Sequence, residues 1–434
     1  MFIRSVCRPS FHTFLLAVLM LFIMPSCFAD YAEVVITTDE HDFTLNCFPA
    51  SGKQMLLWVA PGFGTHERGM TTSEKIAGMG VEACHVDLAD NLFIPKSTSS
   101  MRKLSGENLR LIIESLHAKT GKEITLLSRS YGALPTLKAM RLWQQARQQD
   151  GTDASYLHGA ILFSPELYAS IPPLGQAPVY DPIIEANTMP VMIYQAGKRS
   201  NRWQLDRVIT SLSKHGANVF FRVQKGVTGT FYRADFAAET LQALKNMPGS
   251  LFTDIKLLRQ LTTPLQTVSL NTSPERDGTG LDTQLTNFTA DMKPHALDLE
   301  IVQGGRLVKN NYKGKLTVIN FWATWCPPCV VEIPSLNRLR NKMQGYDFEL
   351  ISVNYSETRA HIRGFLEKVK VNFPVLLDVS GEISASWNVL VYPSTFVIGP
   401  DGKILYGING AIEWDSDEVI NRFKSILEEH KLRN

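Results

Sequence analysis

The chain has 434 residues, of which 44% are apolar and 20% charged, and its formal net charge is only +2. At ~100–200 residues per domain that length allows two or three domains, and the composition supplies ordinary globular cores. No long basic or acidic block is present, which argues against nucleic acid or an acidic polymer as a partner.

Arg4 and Arg8 precede an uncharged apolar run over 14–24, and Pro25-Ser26-Cys27-Phe28-Ala29 follows. A positive start, a short apolar core and small residues at the end are the parts of a secretory signal, expected here over 1–29 with cleavage after Ala29. The run is shorter than the ~20 residues of a stable spanning helix. An uncleaved anchor is the alternative, and Met24-Pro25-Ser26-Cys27 is a poor match to a bacterial lipoprotein box, so attachment through Cys27 stays open. Export to the periplasm or beyond is the expectation. Of the six cysteines, Cys7 and Cys27 lie in this segment. Cys47, Cys84, Cys326 and Cys329 remain, an even number in a compartment that permits disulfides.

From about Ala32 to Met247, short apolar runs alternate with longer amphipathic ones. Strands are predicted over Val34–Thr37, Phe43–Cys47, Met55–Ala60, Glu82–Asp87, Ile124–Leu127, Gly159–Phe163, Val191–Tyr194 and Val219–Val223, each bounded by turn-forming residues. Helical patterns fall over Gly106–Ala118, Gly132–Gln145, Trp203–His215 and Ala234–Lys245. This alternation predicts an α/β domain over 33–247 with a mostly parallel sheet covered on both faces. A linker is expected over 248–284, centred on the Thr, Ser, Pro, Gly and Asn of Leu261–Asp282. A second α/β domain is expected over 285–434. Its strands are Thr317–Trp322, Phe348–Val353, Pro374–Leu377, Thr395–Ile398 and Ile404–Tyr406, and helices follow Pro328, Glu357 and Asp415.

Phe321-Trp322-Ala323-Thr324-Trp325-Cys326-Pro327-Pro328-Cys329 runs from an apolar strand into a helix. Cys326 is thereby expected at a helix N-terminus, where unpaired N–H groups and the macrodipole favour a thiolate. Two intervening residues bring Cys329 within disulfide reach. Pro327 and Pro328 lack N–H donors, yet in the first turn those donors have no intrahelical partner. Cys326 is the expected attacking thiolate, Cys329 the resolving thiol, and no cofactor is implied. The alternative, half of a zinc site, lacks a second CxxC or a nearby His pair in this domain.

On these residues, and on Glu332 and Pro334 beyond them, 285–432 resembles the TlpA/ResA/CcmG-type branch of the thioredoxin superfamily. That resemblance implies a thioredoxin fold and an exported, usually reducing enzyme acting on protein disulfides, in some members serving cytochrome c maturation. It also implies an electron donor of the membrane DsbD/CcdA kind. Val391-Tyr392-Pro393-Ser394-Thr395-Phe396 resembles the superfamily's cis-proline loop, with Pro393 beside the cysteines. Trp325, Pro327, Pro328 and Tyr392 are the expected substrate contacts. Asn320 stands where thioredoxins carry a buried acid, so Glu332 is the expected acceptor of the Cys329 proton; a solvated helix position is its alternative.

Ile124-Thr125-Leu126-Leu127-Ser128-Arg129-Ser130-Tyr131-Gly132 resembles the nucleophile elbow of α/β-hydrolases, with Ser128 in place of the first Gly and Ser130 at the tip. Pro61-Gly62-Phe63-Gly64 resembles the loop that helps build an oxyanion hole, and the whole pattern is similar to exported VirJ-type proteins. A hydrolase also needs a base. Residues 223–231 contain no His and 195–199 no acid, leaving His66 and Glu166 as unconventional partners. Without a base Ser130 is a weak nucleophile. The expected role of 33–247 is therefore a non-catalytic, hydrolase-like module that docks a substrate or the cell envelope, with serine hydrolysis as the competing reading. Cys47 and Cys84 fall on neighbouring runs, where a structural disulfide and two reduced buried thiols are both open.

Overall fold

The structure, a computed structural model, describes residues 31–38, 41–62, 64, 67–227, 238–261, 266–270 and 284–433. The expected signal segment, Cys27 and His66 lie outside these residues. Among the described residues no helix is long and apolar enough to cross a membrane. The chain falls into two compact units: 1–163, 188–192 and 232–267 in the first, and 164–187, 193–231 and 268–434 in the second.

Each early apolar run becomes a strand: β1 Ala32–Thr37, β2 Asp42–Phe48, β3 Gln54–Val59, β4 Glu82–Val86, β5 Glu123–Arg129, β6 Leu157–Phe163, β7 Val191–Ala196 and β8 Val219–Gln224. Their order is β1-β2-β4-β3-β5-β6-β7-β8. β1 and β2 pair antiparallel, as do β2 and β4, whereas β4, β3, β5 and β6 pair in parallel. Parallel strands are joined by crossovers that cover the faces, so β3 and β5 are buried along nearly their whole length.

The helices of this part are α1 Glu67–Gly78, α2 Leu88–Asn91, α3 Thr98–Lys103, α4 Glu107–Thr120, α5 Ala133–Asp150, α6 Leu205–Leu212 and α7 Ala238–Arg259. The sequence carries little sign of α1, because its buried face is Gly69, Thr72, Ser73 and Ile76 rather than an apolar stripe. The linker expected from 248 is corrected: α7 continues to Arg259, through Pro248, because Met247, Leu251, Ile255 and Leu258 bury one face. That repeat at three- and four-residue spacing outweighs the hydrogen bond that Pro248 cannot donate.

In the second unit a six-stranded sheet has the order β14-β13-β12-β15-β16-β9. Its strands are β9 Thr286–Asn287, β12 Leu316–Trp322, β13 Phe348–Tyr355, β14 Val375–Asp378, β15 Ser394–Ile398 and β16 Ile404–Asn409. β12, β13 and β14 run parallel; β15, β16 and β9 alternate in direction. A hairpin of β10 Leu297–Glu300 and β11 Arg306–Lys309 precedes β12, and the helices are α8 Pro327–Lys342, α9 Arg359–Lys368, α10 Glu382–Ser386 and α11 Asp417–Arg433. Leu316 and Val318 pack with Leu336, Leu339, Trp414 and Phe423 on one face. Ile319 and Phe321 pack with Trp387 and Phe396 on the other. The two-residue alternation of a strand thus makes β12 central to both layers.

Cys47 on β2 stands directly opposite Cys84 on β4, and the two form a disulfide with a Cα separation of 4.0 Å. Both residues are buried. The bond closes a 37-residue separation, which in the unfolded chain restricts conformational freedom. Cys47→Ala is expected to lose about 2–4 kcal/mol of stability in urea titration. Dithiothreitol should bring the intact chain toward the same value; two free thiols at these positions in unreduced, denatured protein would overturn the pairing.

Candidate active site

β12 is fully apolar but for Thr317 and Asn320, and it ends at Trp322, shortly before Pro327 and Pro328 open α8. Cys326 is the N-cap of that helix, and its sulfur accepts the Cys329 N–H at 3.3 Å. The Cys326 carbonyl takes the helix's first hydrogen bond, from Val330 N–H at 3.2 Å. Cys326 and Cys329 are joined as a disulfide, with Cys326 at 4% exposure and Cys329 fully buried. Trp325, immediately before them, is 42% exposed. One sulfur thus lies near the surface, and the other lies behind it in the core.

Glu332 follows Cys329 by one helical turn and is buried at 2% exposure. Asn320 Nδ2 donates to its Oε1 at 2.8 Å and Trp414 Nε1 donates to its Oε2 at 2.9 Å. Burial pushes its carboxyl up to about 7, while those two donors pull in the opposite direction. Asn320, at the thioredoxin acid's place, therefore orients the acid on α8; its Nδ2 also donates to Thr395 Oγ1 at 3.0 Å. Solvation on an open helix face, the alternative for Glu332, is excluded by this burial.

The Tyr392–Pro393 peptide bond is cis. The Tyr392 ring meets Trp325 edge-on at 5.8 Å and lies 5.0 Å from Tyr355. Pro393 leads into β15, where Ser394 Oγ donates to Val391 O at 2.7 Å. The cysteines, Trp325 and the cis-proline loop are thereby gathered at one end of the sheet, although Cys326 and Pro393 are 67 positions apart in sequence.

Other neighbours were not legible beforehand. Glu357 accepts from Thr324 N–H at 2.8 Å, from Thr324 Oγ1 at 2.5 Å and from Asn354 Nδ2 at 2.8 Å, so it braces the segment before Cys326. Within the second unit, Ser200 Oγ donates to Leu390 O at 3.1 Å and Asn388 Nδ2 to Gly175 O at 3.3 Å. Asn409 Nδ2 donates to Pro172 O at 2.9 Å. Pro172, Gly175 and Ser200, all in the second unit, thus border the stretch around the cis-proline loop, a neighbourhood set by folding across 190 to 237 positions. No local pattern announces it.

In the first unit, Ser130 follows β5 at a φ of +51° and opens the turn Ser130–Gly132 ahead of α5. A Cβ on Gly132 would come within 3.2 Å of Ala60 O, so the turn closely approaches the end of β3 and a larger residue there would crowd it. His85 is not a free base: Ser73 Oγ lies 2.7 Å from its Nε2, and its ring stacks on Trp58 at 4.9 Å. Burial, helped by the nearby Arg129 charge, pushes its imidazole down to about 3. In the second unit, Glu166 is ion-paired with Arg199.

Residues 283–407 match the AhpC/TSA family. The thiol-disulfide oxidoreductase ResA of Bacillus thuringiensis subsp. konkukian is 35% identical over 109 residues, covering 25% of this chain and 63% of that relative. The chain therefore spans just under two thirds of that relative's length. ResA of Bacillus subtilis is 30% identical over 129 residues, covering 30% of this chain and 70% of the relative. The crystal structure of StoA from Bacillus subtilis aligns at 26% identity with a TM-score of 0.25, over 27% of this chain and 90% of that one. With its cysteine pair at the head of α8 and most of the Bacillus subtilis relative matched, this chain belongs to the ResA-type thiol-disulfide oxidoreductases.

Proposed function

We propose that the protein is an exported thiol–disulfide oxidoreductase that reduces disulfides in other proteins. The observation that carries this reading is the Cys326–Cys329 pair at the first turn of α8, with exposed Trp325 outside it and buried Glu332 behind it. In the reduced enzyme the Cys326 thiolate attacks a substrate disulfide. That S–S bond breaks, a mixed disulfide forms, and one substrate thiolate leaves. Cys329 then loses its proton and attacks Cys326 Sγ; the mixed bond breaks, the second substrate thiolate leaves, and the Cys326–Cys329 disulfide closes. Two electrons have passed to the substrate.

A donor dithiol must return them. The family resemblance favours a membrane carrier of the DsbD/CcdA kind, and cytochrome c maturation as one service of the reaction. A carboxyl held near 7 is partly ionised at neutral pH, which suits Glu332 to take the Cys329 proton. Trp325, Pro327, Pro328, Tyr392 and Pro393 are the proposed contacts with the substrate chain. Export rests on the pattern of residues 1–29, with envelope attachment through Cys27 as one form of it.

For the other part of the chain we favour a hydrolase-like module that docks a substrate or the envelope. The strand order and the Ser130 turn support the hydrolase likeness. The strained φ at Ser130 also favours a second reading, serine hydrolysis, whereas His85 held neutral by burial and Glu166 paired with Arg199 speak against a base. A fluorophosphonate probe is expected to leave Ser130 unlabelled. Labelling that Ser130→Ala abolishes would instead make the protein a hydrolase.

Equilibration with glutathione or dithiothreitol should place the Cys326–Cys329 couple near or below about −270 mV, the range of reducing thioredoxins, and Cys329→Ala should trap substrates as mixed disulfides. A potential near about −120 mV would make it an oxidant. Glu332→Gln should slow release from the mixed disulfide tenfold or more and remove a rate limb with an apparent pKa near 7. The folded carboxyl holds its proton more tightly than the ordinary value of 4.5. Stability from this group is therefore complete below about pH 4.5 and is lost as pH rises through about 7, by an amount on the order of 3 kcal/mol. Urea midpoints of the oxidised Glu332→Gln protein should lack that fall; an unchanged pH profile would remove Glu332 from both roles.

A further inference from the structure

A segment from the first half of the chain holds the stretch around the cis-proline loop from outside. Within the second unit, the single turn Ser200–Gln204 follows β7, and Ser200 Oγ donates to Leu390 O at 3.1 Å, two residues before Tyr392. α10 packs against the same turn. Upstream, Gly175 O accepts from Asn388 Nδ2 at 3.3 Å, and Leu174 packs on the core that contains Trp387 and Phe396. A Cβ on Gly407 would come within 2.3 Å of the Leu174 side chain, so this seat on β16 is a close one. The segment is thus fastened at Gly175 and again at Ser200 to elements beside the proposed substrate contacts.

The turn also carries a positioned charge. Arg202 is half-buried, its Nη1 donates to Gly197 O at 2.6 Å, and its Cζ lies 4.0 Å over the ring of Trp203. Neighbouring Arg199 is ion-paired with Glu166, whereas Arg202 enters no ion pair among the described residues. Trp203 is 39% exposed, much like Trp325 beside Cys326. Aromatic rings lead from one place toward the other: Trp325 meets Tyr392 at 5.8 Å, and Tyr392 lies 5.0 Å from Tyr355. Burial pushes the Tyr355 hydroxyl up, and Arg202 is the foremost charge that pulls it down. Arg202 therefore stands near enough to the Tyr355–Tyr392 pair for its charge to be felt there.

We propose that Arg202, stacked on Trp203 at the Ser200–Gln204 turn, recognises an acidic side chain of the protein substrate while Cys326 engages that substrate's disulfide. This specificity rests on the thiol–disulfide reading. The indole and the bond to Gly197 O fix the plane of the guanidinium, so little side-chain freedom is lost when a partner docks. Its Nε and Nη2 donors make no hydrogen bond among the described residues. A carboxylate accepts two parallel N–H bonds from such a fork. An amide side chain would meet the same donors without the opposite charge, and a lysine would be repelled.

The test is single-turnover reduction by the purified full chain, pre-reduced and freed of reductant. The probes are peptides with one cysteine held in a mixed disulfide with thiopyridine, differing only in glutamate, glutamine or lysine placed a few residues to either side. Each rate constant is taken as a ratio to that for hydroxyethyl disulfide with the same protein. Glutamate peptides should react about fivefold faster than glutamine peptides at low salt, and lysine peptides more slowly than either. Arg202→Gln should abolish the preference, and Arg202→Glu should turn it toward lysine. Equal ratios for all peptides with the unaltered chain, or a glutamate preference that survives Arg202→Glu, would overturn the recognition. Reduction of hydroxyethyl disulfide would then leave the redox reading standing, whereas no reduction of any disulfide would overturn both.

Discussion

Where an apolar strand ends and a helix begins, the first amides of the helix have no partners within it. The rest of the redox site is arranged around one such place. β12 delivers Cys326 to the N-cap of α8, where the sulfur accepts the Cys329 N–H. Negative charge is favoured there by donors already in position, so a thiolate needs no separate cation beside it. Pro327 and Pro328 suit the first turn, since the N–H groups they lack would have had no intrahelical acceptor. The order strand, cysteine, proline, helix thus follows from what a helix terminus leaves unsatisfied.

The same helix supplies the opposite chemistry one turn further in. A carboxyl at 2% exposure resists ionisation because it has lost its water, and Asn320 and Trp414 return only part of that solvation. The result is an acid whose carboxyl is pushed up to about 7, one helical turn from Cys329. Asn320 is the informative substitution: it gives up charge at the strand position and orients the charge that α8 carries. A buried acid at both places would have set two like charges against each other in a dry site.

The first unit repeats the strand-to-helix turn with a different outcome. Ser130 takes a positive-φ conformation at such a turn but is itself largely buried, and His85 is committed to Ser73 and Trp58 and is kept neutral by burial. His85 is therefore not free to take a proton from that serine.

Local sequence determined a large part of this protein. The eight early strands, the helix after Pro328 and the CxxC at its head were legible because hydrophobic period, turn residues and cysteine spacing act over a few positions. α1 and the continuation of α7 were not, one for want of an apolar stripe and the other because Pro248 and polar neighbours mimic a linker. Tertiary structure alone decided that Trp414 and Asn320 hold Glu332, that Glu357 braces Thr324, and that Ser200 meets Leu390. It also decided that Cys47 faces Cys84, since their register depends on the pairing of β2 with β4. Such contacts depend on which buried surfaces pack together across dozens or hundreds of residues, and a single sequence records the residues but not their meeting.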